Sequence, residues 1–172
     1  HTHTWIFNIL ASFVLLASPV FAQNQPLKQR MAPQSLSAME YRDSTGASQP
    51  LEIQGSRLTI LHLWASWCIP CVEELPDIDR LAGAYKDKSL RVITLSLDMK
   101  AEAVRQFYSQ HNITHLPDYM DNNMAVFRTL GFKGLPATVF INAKGEEIAR
   151  IDGPSDWKSP KIIQFIEKQL PR

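Results

Sequence analysis

The sequence predicts an α/β fold in which a mixed central sheet is flanked by helices. Three observations predict it. An apolar run, Leu58 to Trp64, passes through Ala65-Ser66-Trp67 into Cys68-Ile69-Pro70-Cys71 and then into a helical stretch. An alternating segment, Leu90 to Leu97, follows that helix and completes a β–α–β unit. The chain then ends on two strand-like segments joined by a turn, followed by an amphipathic helix.

Residues 1–22 contain no Lys, Arg, Asp or Glu, and Trp5 to Ala17 has the length and composition of a secretory apolar region. Ser18-Pro19 breaks it, and Val20-Phe21-Ala22 places a cleavage site before Gln23, although a basic leading segment is missing and the chain opens on His. The alternative is an uncleaved membrane anchor over residues 5–22, and either reading exports the remainder. Residues 23–38, rich in Gln, Pro and Ser, read as a flexible lead-in. The main domain is expected over 39–172. It begins with a small hairpin, Met39 to Arg42 and Leu51 to Ile53 around the turn Asp43-Ser44-Thr45-Gly46.

A strand at Leu58–Trp64 leads into a helix from about Cys68 to Tyr85, with Pro76 inside it as an expected kink. Val104, Phe107 and Tyr108 repeat at helical spacing, and Asn123 to Leu130 reads as another helix, ended by Gly131. Ala137 to Ile141, the turn Asn142-Ala143-Lys144-Gly145 and Glu146 to Ile151 form a hairpin. Lys161 to Leu170 closes the chain with Ile162, Ile163, Phe165 and Ile166 inward.

Cys68 and Cys71 are the only cysteines. A structural zinc takes four ligands, and no second cysteine pair exists; His111 and His115 are four apart, but Asn112 and Pro117 mark a helix end there. A purely structural disulfide over so short a loop removes little chain entropy. The chemistry that suits two thiols at a strand-to-helix junction is reversible disulfide exchange. Unpaired N–H groups and the helix dipole favour a thiolate on the first sulfur, and the second lies about one turn along, within bridging reach. No metal or cofactor is expected. The formal charge of +1, with no basic block and no aromatic–basic interleaving, argues against a nucleic-acid partner.

Glu74 follows Cys71 by one helical turn, so both lie on one face, where a carboxylate opposes a nearby thiolate and can relay its proton. The competing reading makes Glu74 a first-turn acid serving the helix dipole, a role that fits Glu73 equally. His62, inside the strand, reads as a core or edge residue, and Trp64 and Trp67 as packing and a surface rim.

Trp64-Ala65-Ser66-Trp67-Cys68-Ile69-Pro70-Cys71, the segment Gly134-Leu135-Pro136-Ala137-Thr138 and the ββα ending together resemble a thioredoxin fold. More narrowly, the chain resembles the TlpA/ResA/CcmG group of exported thiol-disulfide oxidoreductases. Four features carry this: the wording of the cysteine motif, its continuation Glu74-Leu75-Pro76, an extra helical insert at about 118–131, and Gly153-Pro154-Ser155-Asp156-Trp157, which resembles the TlpA branch in particular. The resemblance spans Met39 to Leu170. Ile69 departs from the residues usual between the cysteines and leaves the redox potential open.

The resemblance and the helix position together make Cys68 the attacking thiolate and Cys71 the resolving thiol. The resemblance further implies a cis peptide bond before Pro136, with Leu135 backbone beside the sulfurs, and selects Glu74 over Glu73. Trp67, Pro70, Leu135 and Pro136 would then contact substrate. The implied function is a periplasmic protein-disulfide reductase acting on exported clients of respiratory-chain assembly. Those clients are apocytochrome c or the copper-carrying cysteine pairs of cytochrome oxidase assembly. It implies a thiol electron donor in the membrane and a monomeric protein. An oxidase that donates disulfides, and a copper chaperone using the same two thiolates, are the alternatives.

Overall fold

A computed structural model describes residues 23–172. The expected export segment, residues 1–22, lies outside the described residues. The strands are β1 (Lys28–Ser35), β2 (Glu40–Arg42), β3 (Ser48–Pro50), β4 (Leu58–Trp64), β5 (Leu90–Ser96), β6 (Tyr119–Met120), β7 (Ala137–Asn142) and β8 (Glu146–Asp152). The helices are α1 (Ile69–Tyr85), α2 (Ala101–Gln110), α3 (Ala125–Thr129) and α4 (Pro160–Gln169). All eight strands join one sheet in the order β1-β8-β7-β4-β5-β6-β2-β3. The β4/β5 and β5/β6 pairs are parallel and the others antiparallel, so the mixed sheet with flanking helices read from the sequence is what forms.

β4 sits inside the sheet between β5 and β7, and all seven of its residues are buried. A strand covered on both faces has no polar side to show, which is why its sequence is a continuous apolar run rather than an alternation. Trp64, at its end, packs on Phe107 and Tyr108 of α2 at ring-centroid distances of 5.1 and 5.8 Å. On β7, Phe140 stacks near Trp157 at 6.1 Å and meets Phe165 of α4 edge-on at 5.3 Å. Ser159 caps α4 by accepting the Ile162 N–H, and Pro160 occupies its first position, where a missing N–H is harmless.

Three expectations shift. The stretch 23–38, expected as a flexible lead-in, carries β1, which pairs antiparallel with β8 from Lys28↔Arg150 to Ser35↔Glu146. Seven of its eight residues are exposed, so this edge strand forms through its backbone ladder and leaves no apolar alternation to read. The expected hairpin forms, but its second strand is Ser48–Pro50 rather than 51–53, because Asp43 sets the turn: its carboxylate accepts the N–H groups of Thr45 and Ala47. Arg42↔Met120 then joins that hairpin to β6, making it the sheet's far edge. The helix expected at 123–130 shrinks to α3. Met124 before it is left-handed (φ 60°), and the buried Asp121 carboxylate caps it by accepting the N–H groups of Val126 and Phe127.

Candidate active site

Cys68 and Cys71 form a disulfide with Cα atoms 5.2 Å apart. The local sequence explains the placement. Trp64 ends β4, the Cys68 N–H donates to Ala65 O at 3.1 Å, and the Cys68 carbonyl accepts the Val72 N–H, so Cys68 is the N-cap of α1. Pro70 lies in the first turn, where its fixed φ suits a helix start. Cys68 is 8% exposed and Cys71 is 0%, so one sulfur borders the surface and the other lies beneath it. Beside Cys68 in the chain, Trp67 (67% exposed) and Ile69 present apolar side chains to solvent.

The Leu135–Pro136 bond is cis. The β4/β7 register places it beside the cysteine loop: Leu63 pairs with Ala137, so Pro136 enters β7 where β4 leaves the sheet. Leu135 is half-buried and Pro136 buried. The register thus gathers Trp67, Cys68, Pro70, Cys71, Leu135 and Pro136 at one end of the sheet.

The two glutamates separate. Glu73 is exposed, whereas Glu74 is buried on the same side of α1 as Cys71. Neither is a first-turn acid, since α1 starts at Ile69 and its first turn holds none. Glu74 Oε2 accepts the Ser155 N–H at 3.0 Å. Its Oε1 faces His62 Nε2 at 3.4 Å. Burial pushes the Glu74 carboxyl up to about 8; the Ser155 hydrogen bond and the Trp157 indole lower it, and Asp77 one turn on raises it. The Trp157 N–H is a donor near this carboxyl, but it closes no hydrogen bond of good geometry among the described residues.

The loop that holds Glu74 is tied in turn to the start of the described chain. Gln25 N–H donates to Pro154 O at 2.6 Å and Ser155 Oγ–H donates to Gln25 O at 3.1 Å.

His62, read from the sequence as a core or edge residue, is fully buried, hydrogen-bonded through Nδ1 to Thr138 Oγ1 at 2.9 Å, and burial pushes its imidazole down to about 3. Sequence reading missed Asp98. It is 4% exposed and accepts hydrogen bonds from Ser66 N–H (2.8 Å), Ser66 Oγ–H (2.6 Å) and Ser96 Oγ–H (2.6 Å), which anchor the loop leading to Cys68. Its signal was weak, because Ser66 and Asp98 meet only once the parallel register sets Trp64 beside Ser96. Among the described residues, no group of three or more His, Cys, Asp or Glu is placed to hold a metal ion.

The fold and the disulfide at the head of α1 define a protein of the thioredoxin-like class. The family model described as Redoxin matches residues 31–165, and the chain belongs to that family. The thiol-disulfide oxidoreductase ResA of Bacillus thuringiensis subsp. konkukian is 29% identical over 111 residues, covering 64% of this chain. The chain spans 62% of that relative's length. Among solved structures, a Chlorobium tepidum protein assigned as thiol:disulfide interchange protein DsbE matches with a TM-score of 0.65 and 25% identity. The match covers 80% of this chain and 93% of that one. StoA of Bacillus subtilis shares the fold, with a TM-score of 0.61 at 23% identity over 80% of this chain and 98% of that one. The resemblance read from the cysteine motif is therefore borne out.

Proposed function

We propose that this protein is a thiol-disulfide oxidoreductase that reduces disulfides of exported client proteins. The observation that carries the reading is the Cys68–Cys71 disulfide at the N-terminus of α1, with Cys68 slightly exposed and Cys71 fully buried. In the reduced protein the Cys68 thiolate attacks a client disulfide. One client sulfur leaves as a thiolate and is protonated, and a mixed disulfide forms. Cys71, deprotonated, then attacks Cys68 Sγ; the second client sulfur leaves, and the Cys68–Cys71 bond closes. The client gains two electrons, and an external thiol donor must restore the pair. The exposed Trp67 and Ile69, with Pro70, Leu135 and the cis Pro136, supply an apolar rim for a client segment. Respiratory-chain assembly proteins, apocytochrome c or copper-delivery proteins, are the client class that the ResA-type motif favours.

Trapping tests the roles. Cys71→Ser should accumulate mixed disulfides through Cys68 in an exported-protein extract, while Cys68→Ser should trap few or none. The reverse pattern would exchange the two roles, and failure of the wild type to catalyse insulin reduction by dithiothreitol would sink the reading. Export has its own check. Expressed from a complete start, the mature protein should begin at Gln23, and an intact N-terminus in the membrane pellet would establish the anchor instead.

A further inference from the structure

His62 Nε2 and Glu74 Oε1 are both buried, and neither has a hydrogen-bond partner among the described residues. They face each other at 3.4 Å. An orphaned buried polar atom is costly, and two orphans pointing at one another are relieved together by a single proton between them. The opposite ring nitrogen is already engaged, since Nδ1 lies 2.9 Å from Thr138 Oγ1. A threonine hydroxyl can donate, and if it donates to Nδ1 the ring proton must sit on Nε2, directed at the carboxyl.

We propose that His62 is a positioning residue for disulfide exchange: held by the Thr138 hydroxyl, it presents Nε2–H to Glu74 and keeps that carboxylate available to accept the proton of Cys71. The inference rests on the exchange reading above. In the resolving step the proton of Cys71 passes to the Glu74 carboxylate and the Cys71 thiolate attacks Cys68 Sγ. The bond between Cys68 and the client breaks, and the departing client sulfur carries the electron pair and is protonated in turn. Glu74 can take that proton only while ionised, and burial holds the carboxyl protonated until pH rises through about 8, so the relay operates on the alkaline side of that value. A neutral imidazole N–H stabilises the carboxylate without adding a buried charge.

The groups that face this pair come from four elements. From α1 comes Asp77, held by Arg80 and by Lys158 at 3.2 Å, while Cys71 is buried one turn before Glu74 on the same helix. The loop before α4 supplies the Ser155 N–H and the Trp157 indole, which meets His62 edge-on at 5.8 Å. β7 supplies Thr138, and β4 supplies His62 itself. Asp77 is the charged side chain that acts on Glu74, and its negative charge opposes ionisation, which makes the donor from His62 the more necessary.

Two measurements test this. Ring nitrogen shifts in ¹⁵N-histidine-labelled wild type, recorded at about pH 9 where Glu74 is ionised, should show His62 neutral with its proton on Nε2. Single-turnover reduction of an oxidised peptide should be followed from pH 5.5 to 9.5 for wild type, His62→Leu, His62→Gln and Thr138→Val. Removing the donor should raise the Glu74 midpoint by about one pH unit, tenfold in its ionisation constant. His62→Leu and Thr138→Val should therefore move the rate profile to higher pH, with the client KM unchanged. His62→Gln, which keeps an N–H, should restore the wild-type profile. If His62→Leu does not fold, the wild-type ring shifts and the His62→Gln profile still decide. An inactive wild type would overturn the exchange reading itself. An active wild type with the ring proton on Nδ1, or a His62→Leu profile that coincides with wild type, would overturn the role of His62.

Discussion

Two buried carboxyl groups flank the cysteine loop, and their surroundings differ. Asp98 receives three side-chain or backbone donors, two from Ser66 and one from Ser96, and thereby ties the loop after β4 to the loop after β5. Glu74 receives one donor, from Ser155, and turns its other oxygen to an imidazole nitrogen that closes no hydrogen bond. Both are about equally buried, at 4% and 6% exposure. What separates them is the number of donors. A carboxyl saturated with donors is a structural anchor, whereas one left short of them stays poised to change its protonation state.

The comparison predicts different failures. The largest effect on stability should come from Asp98→Ala, which strands the Ser66 N–H and two hydroxyls in a buried site. We expect a loss of about 3 kcal/mol in urea unfolding, spread over three orphaned donors. A loss below about 1 kcal/mol would mean that water replaces the carboxylate without penalty and that Asp98 is no anchor.

Glu74→Gln should act through pH instead. The folded carboxyl titrates at about 8 against an ordinary value of 4.5, so the native state holds a proton that the unfolded state releases. The contribution of Glu74 to stability is therefore full below about 4.5 and is lost as pH rises through about 8. The slope is at most about 1.4 kcal/mol per pH unit. His62 contributes the opposite limb: its folded value of about 3 lies below the ordinary 6.5, so its contribution is present above 6.5 and is lost as pH falls toward 3. Thermal melts from pH 4 to 9 should show Glu74→Gln flattening the alkaline limb and leaving the acid limb in place. An unchanged alkaline limb would show that Glu74 is solvated and does not hold the proton assigned to it. The smallest effect is the control: Glu73→Gln, on the exposed side of the same helix, should change stability by less than about 0.5 kcal/mol at any pH.

Much of this architecture could be read from local pattern. The run Leu58 to Trp64, the helix after Cys68, the hairpin at 137–151 and the closing helix all carry their own period, because each buries an apolar face or both faces. The cysteines needed only their spacing, since a helix N-terminus brings residues three apart within bridging range. The edge strand β1 had no such signature. Its residues are exposed on both faces, and its hydrogen-bond partner lies more than one hundred residues away in β8.

By itself, then, the sequence determined where the redox pair sits, which helix carries it and which strands enclose it, because those depend on short-range periodicity and spacing. Only the tertiary structure decided what surrounds the pair. Glu73 and Glu74 are neighbours with the same chemistry, and spacing leaves them even until the packing of α1 buries one and exposes the other. His62, Glu74, Thr138 and Ser155 come from a strand, a helix, a second strand and a loop, and they meet through the β4/β7 register and the placement of the loop before α4. A buried polar contact between distant segments leaves no periodic trace in the chain. Its energy resides in satisfying donors and acceptors across elements, which the fold must bring together first.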